Sequence, residues 1–425
     1  MASDRDTIAA CATAWGPAAV AVVRVSGPDA RVLAERVCGP LPPPRHAGHR
    51  RFADAVGTFD DGLVVYFPGP GSYTGEDLVE LSGHGNVLLV ERLLRALGAR
   101  PARPGEFTRR AFLRGRLDLV RAEAVLAAIA ATSARGLALA RSAADGVVNA
   151  EVDALRDALT DVAAELEAAL DYPGEDLLVP ADAALAERLF ALATRAAAVA
   201  ATWTGGRIAV EGARVVLAGP VNAGKSSLFN ALLGANRAIV APTPGTTRDV
   251  VEASMQLDAV RIVLVDTAGE RDSADVIEAE GVARALAARA AADLVLWCVP
   301  PGAAARGCAR GELVVPTMGD VAPRPGAVSS RTGEGIEDLR GRIVAALESE
   351  TPGDVGLVLV SARQAELFAR VAEHLHEAAA ALSTAGIAVA VELIYAALES
   401  VGELDGSTVR EGVLDRLFAR FCIGK

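Results

Sequence analysis

The segment Gly219-Pro-Val-Asn-Ala-Gly-Lys-Ser226 constrains the fold of this chain more than any other. It has the Gly-x-x-x-x-Gly-Lys-Ser pattern of a phosphate-binding loop, which must lie between a buried strand and the N-terminus of a helix. An apolar run, Arg214–Ala218, precedes it, and helical spacing over Ser226–Leu233 follows. Only two of the 42 Lys and Arg residues are lysines, Lys225 and Lys425, and a phosphate site favours a compact ammonium over a planar guanidinium. We therefore expect a parallel-sheet α/β domain that binds a nucleotide.

Charge restricts how this protein can contact nucleic acid. The 425-residue chain has a formal net charge of −12, so its bulk field repels RNA, and any RNA contact needs a local basic patch or a basic partner. Residues 103–116 form the candidate patch, with five arginines: Arg103, Arg109, Arg110, Arg114 and Arg116. A solvated face in an arginine-rich protein is an equally good interpretation.

Cysteine usage and hydropathy predict the compartment. Five cysteines without CxxC spacing favour reduced thiols over a disulfide framework or a zinc site. They are Cys11, Cys38, Cys298, Cys308 and Cys422. The longest stretches without charge fall short of the ~18–20 residues that cross a bilayer, and the first residues lack a signal-peptide pattern. We expect a cytoplasmic protein without a membrane segment.

Four segments follow one another along the chain. Residues 1–120 alternate short β-type runs with turns and helical spacing, which predicts an α+β domain. Residues 121–212 are rich in Ala and Leu at helical spacing, 213–347 alternate strands and helices, and 348–425 return to helices with a break at Gly402–Gly406. We predict a multidomain α/β protein in which a P-loop domain is inserted between two halves of an all-α helical domain.

Three motifs in order predict a GTPase. Lys225 is expected to reach the β- and γ-phosphates, and the Ser226 hydroxyl to bind Mg²⁺. Thr247, within Gly-Thr-Thr-Arg-Asp, lies where a switch loop would complete the Mg²⁺ coordination. Asp266, which opens Asp-Thr-Ala-Gly directly after an apolar run, fits the acidic residue held near Mg²⁺. Lys225 and Asp266 are therefore predicted to act in catalysis.

The guanine-reading motif departs from its usual form. The expected Asn-Lys-x-Asp is replaced by Thr317-Met318-Gly319-Asp320, which keeps the aspartate but loses the loop-tying Asn and the base-covering Lys. Ser329-Ser330-Arg331 fits the loop that usually faces the base. The connections 300–312 and 321–328 are also short for crossovers. Since each lost hydrogen bond costs about 0.5–1.5 kcal/mol, we expect weakened guanine affinity rather than a lost site.

Together these residues resemble the MnmE (TrmE) family of tRNA-modification GTPases, over nearly the whole chain. The resemblance rests on Asn222 in the phosphate loop, on the two motifs that follow it and on Cys422-Ile-Gly-Lys425. Matching N-terminal segments are Asp6-Thr-Ile8, Val23-Arg-Val-Ser-Gly27, Pro68-Gly-Pro70, Tyr73-Thr-Gly-Glu-Asp77, Glu80–Gly85 and Arg103-Pro-Gly-Glu-Phe107. The family arrangement is an N-terminal domain followed by a helical domain with an inserted G domain.

The resemblance implies a K⁺-stimulated GTPase that dimerises through its N-terminal domain. Asn222 would bind K⁺ together with loop residues Ala241, Thr243 and Thr246. Glu278 matches the residue that orients the attacking water, although a solvated glutamate at a helix start is the alternative. The residues expected at GTP are Asn222, Ala223, Gly224, Lys225, Ser226, Ser227, Ala241, Pro242, Thr243, Pro244, Gly245, Thr246, Thr247, Asp266, Thr267, Ala268, Gly269, Thr317, Met318, Gly319, Asp320 and Ser330.

The same resemblance implies a folate site in the N-terminal domain. Glu80 would accept from the pterin N–H edge, while Arg24, Arg116 and Lys425 would meet the anionic tail. The ligand would be 5,10-methylene- or 5-formyl-tetrahydrofolate. Cys422 is a catalytic candidate by its place in the ending, but a lone cysteine among apolar residues is more often a small buried hydrophobe.

The implied reaction adds a carboxymethylaminomethyl or aminomethyl group at C5 of the wobble uridine of tRNA. It requires an MnmG-type FAD flavoprotein as partner, which would make most of the tRNA contact, consistent with the acidic charge of this chain. Two alternatives stay open. One is an RNA-binding ribosome-assembly GTPase, and the other is a folate-binding dimer scaffold whose GTPase is impaired by the altered guanine motif.

Overall fold

The computed structural model describes residues 6–171, 182–234, 250–257, 260–267, 286–303, 309, 311–349 and 356–425. The chain forms two compact units: an N-terminal unit, Met1–Ala122 with Gly402–Lys425, and a central unit, Glu123–Val401. This division differs from the predicted one, because the last 24 residues cluster with the N-terminal unit rather than with a second half of the helical domain.

The N-terminal unit is a six-stranded sheet with helices. Its strands are β1 Ile8–Cys11, β2 Ala18–Ser26, β3 Gly48–Asp54, β4 Gly57–Phe67, β5 Leu78–Gly85 and β6 Arg100–Pro101. Its helices are α1 Ala30–Cys38, α2 Val87–Leu97 and α3 Glu106–Leu113. The strand order is β3-β4-β5-β2-β1-β6, and the pairs are antiparallel except β1 with β6. The predicted α+β domain is confirmed.

Helix α2 shows how local sequence sets an element in this unit. The Asn86 side chain accepts a hydrogen bond from the Leu88 backbone N–H at 2.9 Å and so caps the helix, which ends at Gly98 in the left-handed conformation. Leu93 and Leu97 lie one turn apart and are buried against the sheet with residues such as Val23. The alternation of apolar residues in the strands supplies the other half of this core.

A C-terminal helix completes the N-terminal unit. It is α13, Glu411–Phe418, and it packs against α3. The Phe112 and Phe418 rings lie 6.3 Å apart. Gly406 has φ 92°, and a Cβ there would lie 2.7 Å from the Phe112 ring, so only glycine allows this close approach.

Helices make up the rest of the predicted all-α region. They are α4 Leu119–Ala130, α5 Ala134–Ala144, α6 Val147–Asp171, α7 Asp182–Ala201 and α8 Trp203–Glu211, then, beyond the nucleotide domain, α11 Ala362–Thr384 and α12 Ile387–Asp405. Helix α7 packs along α11, where the Phe190 ring meets His376 edge-on at 5.1 Å. The predicted break over Gly402–Gly406 lies at the end of that range, because α12 continues through Gly402 to Asp405 and the chain turns at Gly406.

The nucleotide domain lies within the central unit. Its strands are β7 Ala213–Ala218, β8 Val250–Leu257, β9 Val260–Thr267, β10 Leu294–Val299 and β11 Glu312–Pro316, and its helices include α9 Lys225–Leu233 and α10 Ile336–Ser349. Residues 286–290 are also helical. The order is β11-β10-β7-β9-β8, and all described pairs are parallel except β8 with β9. The predicted parallel sheet is confirmed, with an antiparallel edge strand that sequence analysis did not identify.

Helix α8 joins the helical region to the nucleotide domain by backbone contact. A Cβ on Gly206 would lie 1.9 Å from the Leu359 carbonyl oxygen, and the Leu359 N–H donates to the buried Thr202 hydroxyl at 3.1 Å. Arg207 pairs with Asp293, at the start of β10. The segments that enter and leave the nucleotide domain are therefore held against one another. Across the described ranges, no helix is both long and apolar enough to cross a membrane.

We expect Gly206→Ala to lower the free energy of unfolding of the central unit by about 1–3 kcal/mol, because the added methyl meets backbone rather than a movable side chain. Urea unfolding followed by the fluorescence of Trp203 and Trp297 measures the change. The matched control is Gly341→Ala in α10, where a Cβ meets nothing within 4 Å and should stabilise by up to about 1 kcal/mol. Equal effects at both positions would contradict the close approach.

Candidate functional site

The phosphate loop follows β7 and turns into α9, as predicted. Gly224 occupies the position before α9 at φ 84°, and Gly219 has φ 136° with its Cβ position only 2.5 Å from the Cys298 carbonyl oxygen. The Lys225 ammonium is buried and donates to the carbonyls of Gly219 and Pro220, at 2.9 Å each. A lysine held across its own loop lies at the positive end of α9, where a phosphate chain would meet it.

Other residues of this loop face outward. Asn222 is exposed in a left-handed conformation, φ 60°. Ser226 and Ser227 in the first turn of α9 are exposed as well, whereas Ala223 is buried. The exposed amide and hydroxyls are available to ligands, and a non-glycine residue held at positive φ is typical of a functional constraint.

Asp266 carries the clearest sign of a missing polar partner. It lies near the end of β9, directly opposite Leu217 of β7. Its Oδ1 is buried and has no hydrogen-bond partner among the residues that the structure describes. A buried carboxylate oxygen without a partner is costly in a protein interior, so the site fits a Mg²⁺ ion with its water shell, held also by Ser226.

Thr317 ties its loop to the phosphate loop, although the motif lacks the usual Asn. Its hydroxyl is buried and donates to the Ala223 carbonyl of the phosphate loop at 2.7 Å, with the Val299 carbonyl at 3.3 Å. The expectation that the loop tie disappears with the Asn is therefore wrong. A threonine makes the tie because the two loops approach closely enough for its short side chain.

Asp320 is held in place by the loop that was expected to face the base. The Ser329 hydroxyl donates to Oδ1 at 2.9 Å, and Arg331 Nε lies 3.1 Å from Oδ2. Because Arg331 is 81% exposed, this second pair is weak and easily displaced. Met318 has φ 57°, and its Cε lies 3.7 Å from the Cβ position of Gly224, so its thioether provides an apolar cover beside the phosphate loop.

The other predicted GTP-binding residues divide into those that the structure describes and those outside the described ranges. Gly319 and Ser330 are half-buried, and the Gly319 N–H donates to the Val328 carbonyl at 3.0 Å. Thr267 closes β9, opposite Val250 of β8. The predicted residues that lie outside the described ranges are Ala241, Pro242, Thr243, Pro244, Gly245, Thr246, Thr247, Ala268, Gly269 and Glu278. Their roles stay predictions.

In the N-terminal unit, sheet register brings two predicted folate residues together. Arg24 of β2 lies directly opposite Glu80 of β5, and its Nε and Nη2 donate to Glu80 Oε1 at 3.0 and 2.6 Å. Arg24 Nη1 also donates to the Gly424 carbonyl at 3.1 Å. The rings of Tyr73 and Phe107 lie 5.8 Å from the guanidinium. The pair is thus half-buried between aromatic rings and the C-terminal segment, and Glu80 Oε2 accepts no hydrogen bond from the described residues.

The C-terminal segment is anchored beside this pair. The Lys425 carbonyl accepts from the Phe107 N–H at 3.2 Å, and a Cβ on Gly424 would lie 2.4 Å from the Cys11 carbonyl oxygen. Cys422 is exposed, so its interpretation as a buried small hydrophobe is wrong. Arg116 is exposed too, with its Cγ 3.3 Å from the Cβ position of Gly75.

A charge network, which sequence analysis missed, uses much of the predicted basic patch. Arg110 is 1% exposed and binds Asp6, Glu76 and Glu106, with Nη2 2.6 Å from Asp6 Oδ1 and Nη1 3.2 Å from Glu76 Oε2. Arg114 Nη2 lies 2.5 Å from Glu76 Oε1. The further pairs are Arg100 with Asp6 and Glu106, and Arg109 with Glu411 and Asp415. Apart from the i,i+4 pair of Arg110 with Glu106, sequence spacing carries no signal of these pairs; Arg109 and Glu411, for example, lie 302 positions apart.

A strand, a phosphate loop with its lysine, a half-buried aspartate on the neighbouring strand and an aspartate held in the loop after β11 define a P-loop nucleotide-binding protein of the GTPase class. Comparison with models of protein families identifies the family to which the chain belongs. A model described as GTP-binding protein TrmE N-terminus matches residues 7–116, and one described as MnmE helical domain matches 119–422. The chain belongs to the MnmE (TrmE) family.

Full-length relatives agree with this assignment. The tRNA modification GTPase MnmE of Myxococcus xanthus (strain DK1622) is 43% identical over all of both chains. That of Halorhodospira halophila (strain DSM 244 / SL1) is 44% identical over 99% of this chain and 96% of its own.

Acid should weaken the N-terminal unit through Asp6 and Glu106. The hydrogen bond from Arg100 lowers the pKa of Asp6 below 3.8. Burial raises the pKa of Glu106, but hydrogen bonds from Arg100 and the Arg103 N–H outweigh it, so that pKa falls below 4.5. Lowered values mean that the stabilisation is complete above the unfolded-state pKa and is lost as pH falls through the folded-state pKa.

We therefore expect Asp6→Asn to lower stability at neutral pH and to flatten its decline below pH 4, measured by urea unfolding between pH 7 and 3. Glu91→Gln, which changes an exposed carboxylate on α2, is the control and should leave the shape of the decline unaltered. An Asp6→Asn curve parallel to the starting protein would contradict the role of Asp6.

Proposed function

We propose that this protein is a K⁺-stimulated GTPase that, with an FAD flavoprotein of the MnmG type, adds a carboxymethylaminomethyl or aminomethyl group to C5 of the wobble uridine of tRNA. The one-carbon unit comes from a tetrahydrofolate bound in the N-terminal unit. Membership of the MnmE (TrmE) family supports the GTPase and tRNA-modification activities. The single observation that carries the nucleotide part is the buried Asp266 Oδ1, which has no partner among the described residues and lies in the strand beside the phosphate loop.

Each residue of the phosphate site has a role in binding or hydrolysing GTP. Lys225 exchanges its two loop carbonyls for phosphate oxygens, and its charge offsets the negative charge that grows in the transition state. Ser226 and Thr247 would hold Mg²⁺, with Asp266 near the ion through water, and the ion would neutralise the phosphate oxygens. Asp320 accepts the guanine N–H groups, with Ser329 fixing one of its oxygens. Glu278 orients the attacking water.

K⁺ would take the place of an arginine finger by putting positive charge beside the phosphates. The exposed Asn222 side chain supports this role, because an amide oxygen is a suitable ligand for an alkali cation and the residue is accessible on the phosphate loop. Ala241, Thr243 and Thr246 would complete the K⁺ site. Asn222→Ala should therefore remove the response to K⁺ while leaving GTP binding intact.

We expect GTP hydrolysis by the full chain to be faster in K⁺ than in Na⁺ buffer, with ATP not hydrolysed. Asn222→Ala should reduce the K⁺ rate roughly to the Na⁺ rate, since the lost stabilisation acts on the transition state. Asn230→Ala, which changes an exposed asparagine of α9, is the matched control. Rates that do not distinguish the two cations would overturn the K⁺ site.

Lys225→Ala separates the GTPase from the scaffold alternative. A GTP-driven enzyme loses wobble-uridine modification in cells that express only this variant, whereas a folate-binding scaffold retains it. The Thr317 tie and the Ser329 bond to Asp320 favour the GTPase, because both keep a base-reading loop in place. Wobble modification that survives loss of the whole gene would contradict both.

Glu80 and Arg24 would hold the folate. Glu80 has a second carboxylate oxygen for the pterin N–H edge, and Arg24, Arg116 and Lys425 offer positive charge to its glutamate tail. The ligand supplies the one-carbon unit when bound. Cys422 is exposed in the segment that Arg24 anchors, which supports a chemical rather than a packing role.

Glu80→Gln should weaken binding of 5-formyl-tetrahydrofolate by about tenfold or more, because a charge-assisted bond of about 1.5–3 kcal/mol becomes neutral or is lost. Isothermal titration calorimetry measures the affinity, and a thermal melt checks that the loss of the Arg24 pair leaves the fold intact. Glu91→Gln is again the exposed control. Unchanged affinity in Glu80→Gln would remove Glu80 from the site.

Partners of this chain follow from its charge. With a net charge of −12 and most arginines of the 103–116 patch paired to carboxylates, tRNA contact is left mainly to the flavoprotein. A homodimer joined through the N-terminal unit is consistent with exposed apolar side chains there, among them Trp15 and Val20. We also propose that the protein is located in the cytoplasm.

A further inference from the structure

Arg324 binds three backbone carbonyls around the segment Thr317–Asp320, which we call the base-reading loop. Its Nη2 donates to the carbonyls of Val299 and Thr317 at 3.0 Å each, and Nη1 lies 3.4 Å from the Pro300 carbonyl. Val299 ends β10, whereas Thr317 follows β11, the next strand in the sheet. One side chain therefore ties the end of one strand to the loop after the next strand.

This tie adds to the backbone hydrogen bonds that already hold the loop. The Thr317 N–H donates to the Val299 carbonyl at 2.9 Å, so the start of the loop already lies against β10. At the other end, Ser329 holds Asp320. The intervening connection is short and contains Pro323, Pro325 and Gly326, which give it little secondary structure of its own. Arg324 is the side chain of this connection that reaches back to both strands.

We propose that Arg324 is a positioning residue for guanine specificity, an inference that rests on the GTP-binding function proposed above. By fixing the Thr317 carbonyl, Arg324 sets the peptide that leads into Met318, which has the unusual φ of 57°. That conformation turns the chain so that Asp320 faces the base. Arg324 thus compensates for the Asn and Lys that the motif lacks.

A guanidinium suits this task better than an ammonium. Its planar fork presents several N–H groups in fixed directions, so one group can bridge carbonyls from two segments. Thr317 adds the link from the same loop to Ala223, so the phosphate loop, β10 and the base loop share one set of hydrogen bonds. Removing Arg324 leaves the Thr317 link and the Gly319–Val328 backbone bond in place but releases the Thr317 carbonyl.

Nucleotides that differ only in the base test this directly. Guanine offers N1–H and the 2-amino group to Asp320, hypoxanthine keeps only N1–H, and adenine has neither. The ratio of GDP to IDP affinity therefore reports the second bond to Asp320, and ADP reports binding through phosphates alone. In the unaltered full chain we expect GDP to bind roughly tenfold or more tightly than IDP.

In Arg324→Gln we expect the GDP-to-IDP ratio to fall to about 1–3, with ADP affinity unchanged, as measured by calorimetry on the full chain. Arg324→Lys, which bridges fewer carbonyls, should give an intermediate ratio. The matched control is Arg340→Gln, since Arg340 Nη2 donates at 2.7 Å to the Leu232 carbonyl of α9, outside the loop. Its ratio should equal that of the unaltered chain.

Each outcome decides one question. Equal binding of GDP and ADP by the unaltered chain would overturn the guanine specificity itself, whatever Arg324 does. A GDP preference that persists in both Arg324 variants would overturn the positioning role alone. Parallel losses for GDP, IDP and ADP would show general damage and likewise overturn it. If Arg324→Gln does not fold, Arg324→Lys decides the question. A GDP-to-IDP ratio in Arg324→Lys equal to that of the unaltered chain would then overturn the positioning role.

Discussion

The backbone contact between α8 and the segment at Leu359 is the constraint on which the central unit depends. It places the chain that enters the nucleotide domain against the chain that leaves it, with no side chain between them at Gly206. Helix α8 makes further contacts with the helical region on one side and with the sheet on the other. A Cβ on Gly136 of α5 would lie 2.2 Å from the Ala209 carbonyl oxygen, and Arg207 pairs with Asp293 beside β10. Helix α8 therefore shares backbone or ionic contacts with the helical region and with the sheet, and a displacement of either is resisted by the other.

Arginine, rather than lysine, supplies the positive charge that pairs with the carboxylates of this protein. In the N-terminal unit, Arg110 is nearly inaccessible and satisfies three carboxylates at once, which a planar group with several donors can do and an ammonium does poorly. Arg24 likewise binds Glu80 and the Gly424 carbonyl together. Lysine stands only at two positions, Lys225 and Lys425. The phosphate loop is where a flexible ammonium has an advantage, because it can leave loop carbonyls for phosphate oxygens.

The loop at Thr317–Asp320 shows why a missing motif residue does not by itself remove the contacts that hold such a loop. Read as letters, Thr317-Met-Gly-Asp320 loses two of the residues that normally shape such a loop. In space, the Thr317 hydroxyl reaches Ala223, Met318 covers the phosphate-loop side, and Ser329 fixes Asp320. The weakened affinity expected from sequence assumed that these bonds were lost rather than made by other groups.

Sequence by itself determined the features that depend on neighbours along the chain. The strand–loop–helix at Lys225, the α+β class of the N-terminal segment and the parallel sheet of the nucleotide domain were predictable, because short-range spacing and backbone preferences indicate them. Only the tertiary structure decided which distant groups meet. Thr317 and Ala223 are 94 positions apart and Arg24 and Gly424 are 400 apart, so no local pattern announces either bond. Such contacts depend on how strands align in the sheets and on how closely backbones pack, and those are properties of the whole fold.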